Sequence, residues 1–162
     1  MNAEVKILER SLRQALSGKG AHIEAGNVFE GLDWRAAGAR PAQVPHSLYQ
    51  LLNHMIYWQE WVLQWLDGGR APVPKHASEG WPGGTSPDGQ KDWEEALQRF
   101  RKGLAGLRRR SRQADLVTKR GRKSRLEMLH AIASHKSYHA GQAALLRRTM
   151  GKWPPPSGGV TW

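Results

Sequence analysis

Cysteine is missing from all 162 residues. That excludes a disulfide framework, and with it any thiol nucleophile or thiolate metal ligand supplied by the chain itself. Long apolar runs are missing too: nowhere do about 18 apolar residues follow one another, as a membrane-crossing helix requires. The opening residues, Met1 to Arg10, hold no unbroken apolar stretch of the kind that directs secretion. These absences predict a cytoplasmic protein with no membrane span. Acidic residues are scarce, 14 Asp plus Glu against 25 Lys plus Arg, which leaves a net charge of +11. A chain of this length is expected to form one domain over residues 1–162 with a core of its own.

What is present reads as helix. Val5, Leu8, Leu12 and Ala15, flanked by Ile7 and Leu16, predict a first helix from about Asn2 to Leu16, stopped by Ser17-Gly18-Lys19-Gly20. A long connection, Ala21 to His46, carries Gly26, Gly31, Gly38, Pro41 and Pro45, with room for a short helical turn near Val28 to Leu32. Ser47 and Gln50 have the spacing of a capping box opening a second helix that runs to Trp65 or Leu66. Residues 68–89 form a Gly/Pro-rich loop in which Trp81 either anchors the loop or walls a pocket. Ser86-Pro87 predicts the start of a third helix, with Trp93, Leu97, Phe100, Leu104 and Leu107 as its stripe. Ser124 and Glu127 form a second capping box, opening a fourth helix that closes at Gly151 before Trp153-Pro154-Pro155-Pro156. Residues 152–162 are expected to be an extended tail, pinned by Trp153 and Trp162. Four amphipathic helices with no strand run predict an all-α helical bundle.

The core stripe of the fourth helix is polar where a bundle wants leucine. Met128, Ile132, His135, His139, Gln142 and Leu146 recur at steps of four and three, so they share one face. On the second helix His54 falls in a stripe with Leu51, Trp58, Trp61 and Trp65. A buried polar group without a partner costs about 1–3 kcal/mol, so these imidazoles need a metal, a water or each other. Imidazole is the commonest protein ligand for transition metals, and three ligands leave a coordination position open, the pattern of a catalytic zinc site. His54, His135 and His139 are therefore the candidate ligands. Gln142 is placed to hydrogen-bond a ligand, and Trp58, Trp61 and Trp81 to form a rim. The pair His135 and His139 is not a zinc-protease motif, because Lys136 stands where the general-base glutamate belongs. A di-iron site is also disfavoured: Glu60, Glu94, Glu95 and Glu127 do not recur at core positions. Of the other histidines, His46 is expected to make a local hydrogen bond beside the helix cap. His76 is expected in solvent, His130 on another face, and His22 near the mouth of the site or free of it.

His46-Ser47-Leu48-Tyr49-Gln50-Leu51-Leu52-Asn53-His54-Met55, followed by a tryptophan-rich half-helix, resembles the second helix of the DinB/YfiT-like superfamily. Ser134 to Gln142, then Leu145-Leu146-Arg147-Arg148 and Gly151-Lys152-Trp153-Pro154, is similar to that family's last helix and exit. Gly18-Lys19-Gly20-Ala21-His22 is similar to one of its branches. The resemblance spans roughly residues 5–156. It implies an up-down-down-up four-helix bundle that forms homodimers, with zinc or nickel held by three histidines that map to His54, His135 and His139. Some relatives are transferases or isomerases that use low-molecular-weight thiols, so the resemblance implies a thiol-dependent S-transferase, while the open coordination position also allows a metal-assisted hydrolase. A substrate thiol is compatible with the missing cysteine, because the cosubstrate would supply the thiolate.

Between Arg99 and Arg125 lie twelve Lys or Arg and one acid, Asp115. The alternative reading is a nucleic-acid-binding module built on residues 99–125, since such density can neutralise phosphates. Aromatic residues for base stacking are absent there, which favours a solvated basic turn whose field draws anionic small molecules. A metal-free dimeric scaffold is the third reading.

Overall fold

The computed structural model describes residues 3–81, 83–112 and 115–159. The expected helix start at Asn2, the Pro82 position of the loop and the anchoring role of Trp162 lie outside the described residues. Four long helices carry the fold: α1 (Ala3–Ser17), α3 (Leu48–Leu66), α4 (Gln90–Arg110) and α5 (Arg125–Thr149). A short α2 (Trp34–Gly38) lies in the connection after α1, and a 3-10 turn, Ala77–Gly80, in the loop after α3.

End-to-end contacts fix the helix directions. The Tyr49 hydroxyl donates to Asp92 at 2.8 Å near the starts of α3 and α4, and Arg110 Nε donates to Asp67 at 3.0 Å near their ends. Those two helices therefore run parallel. Arg125, at the start of α5, donates to the Leu66 carbonyl at the end of α3, 2.7 Å away, so α5 runs back alongside α3. Ser11 and Gln14 of α1 line a cavity with His130 and Ala133 of α5, and beyond the end of α1 His22 reaches Ser137. α1 thus runs with α5, and the bundle is up-down-down-up.

Local chemistry accounts for most boundaries. Ser47 and Gln50 bond reciprocally, as do Ser124 and Glu127, so both capping boxes form. α1 ends at Gly18, whose φ of +82° suits glycine. The third long helix differs from expectation, starting at Gln90 and not at Ser86-Pro87. The Asp92 carboxylate accepts from the Asp88 amide, holding residues 88–92 in a turn, and Gly89 takes the cap position. The helical turn in the first connection sits at Trp34–Gly38, capped by the Asp33 side chain, while residues 28–31 form non-helical turns. Two short strands, β1 (Lys119–Arg120) and β2 (Lys123–Ser124), pair antiparallel within the basic stretch. At two residues each they are too short to show any alternation.

The apolar core falls into two clusters. One gathers Phe29, Leu52, Met55, Trp93, Phe100 and Ala143; the other gathers Leu12, Leu16, Val62, Leu107, Leu129 and Ile132. The break falls at residues 57–61 of α3 and 134–139 of α5. There the buried side chains are polar: Gln59, Lys136 and His139. Gly103 of α4 makes room for Gln59, since a Cβ at Gly103 would lie 2.3 Å from its amide oxygen.

Candidate metal centre

The stripe that predicts a polar seam on α5 is borne out in geometry. His139 is 5% exposed, His54 on α3 is 7% exposed, and His135 is half-buried. One ring nitrogen from each lies within 4.8 Å of the other two. His54 Nε2 and His135 Nε2 are 3.0 Å apart. Two zinc-bound imidazole nitrogens at bonds of about 2.05 Å and a tetrahedral angle stand about 3.3 Å apart, so the cluster has the right size.

The far side of each ring decides which nitrogen faces inward. His54 Nδ1 lies 2.6 Å from the Gly80 carbonyl, which can only accept, so the proton is on Nδ1 and Nε2 keeps its lone pair. His139 Nδ1 donates to Gln142 Oε1 at 2.7 Å, with the same result. His135 Nδ1 is buried with no hydrogen-bond partner among the described residues. Burial pushes the His54 pKa down to about 4 and that of His135 to about 3, and lowers that of His139. The neighbouring imidazoles add to the effect at His54 and His135. Neutral rings with two lone pairs already turned inward suit a borderline divalent cation. The cluster can hold a metal ion.

Aromatic rings wall it. Trp81 stacks on His54 with centroids 3.8 Å apart, and on His46 from its other face at 3.7 Å. Trp58 sets its ring edge-on to both His54 and His135. The 3-10 turn seats closely on Trp58: a Cβ at Gly80 would come within 3.2 Å of the indole Nε1. Trp61 packs against Trp58 one turn further out and, among the described residues, makes no ring contact with the histidines. Trp81 is thus a wall of the cluster as well as an anchor for its loop.

The remaining histidines sort differently. His46 does not make the expected local hydrogen bond; its Nδ1 has no partner among the described residues, and its ring is held by stacking on Trp81. His76 and His130 are exposed. His22 turns away from the cluster, with Nδ1 donating to the Ile23 carbonyl at 2.7 Å and Nε2 2.9 Å from Ser137 Oγ.

Sequence reasoning missed Lys136, which is 1% exposed with its ammonium unpartnered among the described residues. A signal existed: Leu129, Ala133, Lys136, Ala140, Ala143 and Arg147 also repeat at four and three, and all are buried. Arg147 on this second stripe donates to the carbonyls of Val28, Glu30 and Lys152, tying the first connection and the tail to α5.

Comparison with known proteins agrees with this geometry. A family model described as the DinB superfamily matches residues 25–143, well over half the chain and a span that includes all three histidines. No curated protein and no solved structure matches. The chain belongs to the DinB superfamily.

Proposed function

We propose that this protein is a cytoplasmic, homodimeric metalloenzyme in which His54, His135 and His139 hold one zinc or nickel ion through Nε2, and that it acts as a low-molecular-weight-thiol-dependent S-transferase. The carrying observation is the pair of outer hydrogen bonds, His54 to Gly80 and His139 to Gln142, which aim two lone pairs at the third ring. Such outer bonds fix the tautomer and raise ligand basicity. A bound divalent ion would supply Lewis acidity toward an incoming sulfur or oxygen donor. The indoles of Trp58 and Trp81 pack on His54 from two sides and hold its ring in place.

A metal-assisted hydrolase is the weaker form of the reading. Among the described residues the ligand group holds imidazoles and no carboxylate to act as general base, so a bound water would depend on the ion alone for its acidity. A thiol cosubstrate brings its own nucleophile.

Five of the twelve basic residues of the 99–125 stretch are engaged within the molecule, which weakens the nucleic-acid alternative. Arg99 pairs with Glu60, Arg110 with Asp67, Arg108 with Glu24 and Arg125 with Asp115. Arg120 donates to the carbonyls of Trp65, Gly68 and Gly69, closing the end of α3.

Metal analysis of protein purified without a histidine tag tests the proposal. Zinc or nickel near one equivalent per chain is expected, with loss in His135→Ala and His139→Ala and a lower melting temperature on chelation. Negligible metal after reconstitution would overturn it and leave a metal-free scaffold.

A further inference from the structure

The three-histidine cluster has two apolar neighbours. One cavity, about 270 Å³, is lined by Val44, Leu51, Gln142 and Leu145, and touches none of the three histidines. The other, about 400 Å³, lies between α3 and α5 and includes His135 in its lining. Its size falls at the lower end of the ~300–1,000 Å³ range typical of small-molecule sites.

The walls of this second cavity are almost wholly hydrocarbon and indole: Trp58, Trp61, Val73 and Ile132 among them. Val73 is 75% exposed at the rim, an apolar side chain with little cover. Trp61 is fixed in place, its Nε1–H donating to the Pro72 carbonyl at 2.7 Å, so the indole offers a face and no free donor. Trp58 links the wall to the cluster, because the same indole packs edge-on to His135 at 6.1 Å between centroids. A body resting on Trp58 therefore adjoins the His135 ring.

Among the described residues the lining contains one full charge, Lys123 of β2. The Glu127 carboxylate lies in the field of Lys123 and is turned toward the Ser124 amide and hydroxyl, outside the lining. The lysine sits in the field of a chain with a net charge of +11, so an anionic ligand is favoured over a neutral one.

We propose that this groove binds the substrate, and that the substrate is a small organic acid: an aromatic or aliphatic body against Trp58, Trp61 and Val73, with its single anionic group at Lys123. Its reacting atom lies at the opposite end, beside His135. On α5 the rise from Met128, which lines the Lys123 end, to His135 is on the order of 10 Å, and this sets the separation of the two ends. The assignment of a reacting end rests on the metal reading above; the groove and its charge preference do not.

Calorimetric titration of the whole protein with 4-phenylbutyrate and with its neutral amide tests the proposal. The acid should bind more tightly than the amide by up to about fivefold at low ionic strength, and Lys123→Gln should erase the difference. Trp61→Ala should weaken both ligands by about tenfold or more. Val73→Asp, at an exposed position with little packing to lose, should selectively repel the acid, which keeps the test decisive if Trp61→Ala does not fold. Leu145→Ser, in the other cavity, should change neither. Equal binding of acid and amide, or indifference to Trp61→Ala and Val73→Asp, would overturn the proposal. So would loss of acid binding in His139→Ala, because the carboxylate would then be reaching the cluster itself. Groove binding by the unmutated protein, together with its failure to load metal after reconstitution, would sink the metal reading alone.

Discussion

At the scale of single residues, burial without a partner is the dominant theme. Lys136 carries an ammonium into the bundle interior, and burial, with Arg108 adding repulsion, pushes its pKa down to about 7. The unfolded chain binds that proton up to pH 10.5, so folding stability should rise as pH climbs from about 7 to 10.5. Lys136→Met should flatten that rise and stabilise the fold at pH 7 by about 1–3 kcal/mol, read from urea melts across the window. Destabilisation at every pH would mean that the ammonium has a partner. The histidines follow the same rule. His54, buried, and His135, half-buried, are held neutral, with pKa values of about 4 and about 3 against 6.5 unfolded. Their contribution is complete above pH 6.5 and is lost as pH falls through 6.5 toward about 4 and about 3. Any bound metal should leave in the same direction, since ligands must stay neutral. Melting temperatures of metal-free protein that stay level between pH 7.5 and 4.5 would contradict this.

At the scale of elements, the parts legible in the sequence were those with a local cause. Both capping boxes, the glycine stop after α1 and the apolar stripe of α4 follow from residues a few positions apart. The start of α4 was misread because Pro87 suits a first helical position, while the deciding contact, Asp92 accepting from the Asp88 amide, is a side-chain bond that spacing does not reveal. Trp81 was legible only as anchor or wall, since its choice depends on where a long loop returns. Gly18 illustrates a local rule with a distant consequence. Its φ is +82°, and a Cβ there would lie 2.1 Å from the His22 ring, whereas Gly20, at +86°, has nothing within 4 Å. Gly20→Ala should therefore cost about 1–2 kcal/mol for left-handed backbone alone. Gly18→Ala should cost more, because His22 must also leave Ser137; thermal melts of the two variants showing equal loss would refute that.

At the scale of the whole molecule, a polar layer crosses the bundle and divides its apolar core into two clusters. Half of that layer was visible as histidines on one stripe of α5. The other half, Lys136 with Gln59, was not, because a lysine after a histidine reads as surface until the neighbouring stripe is traced as well. The layer gives up apolar burial at mid-bundle, and the compensation proposed for it is a cation shared by three imidazoles. The most direct test is anomalous diffraction at the zinc and nickel edges from crystals of metal-reconstituted protein. The account predicts a single peak about 2.0–2.1 Å from Nε2 of His54, His135 and His139. Absence of a peak, with His135 donating its Nε2 proton straight to His54, would contradict it.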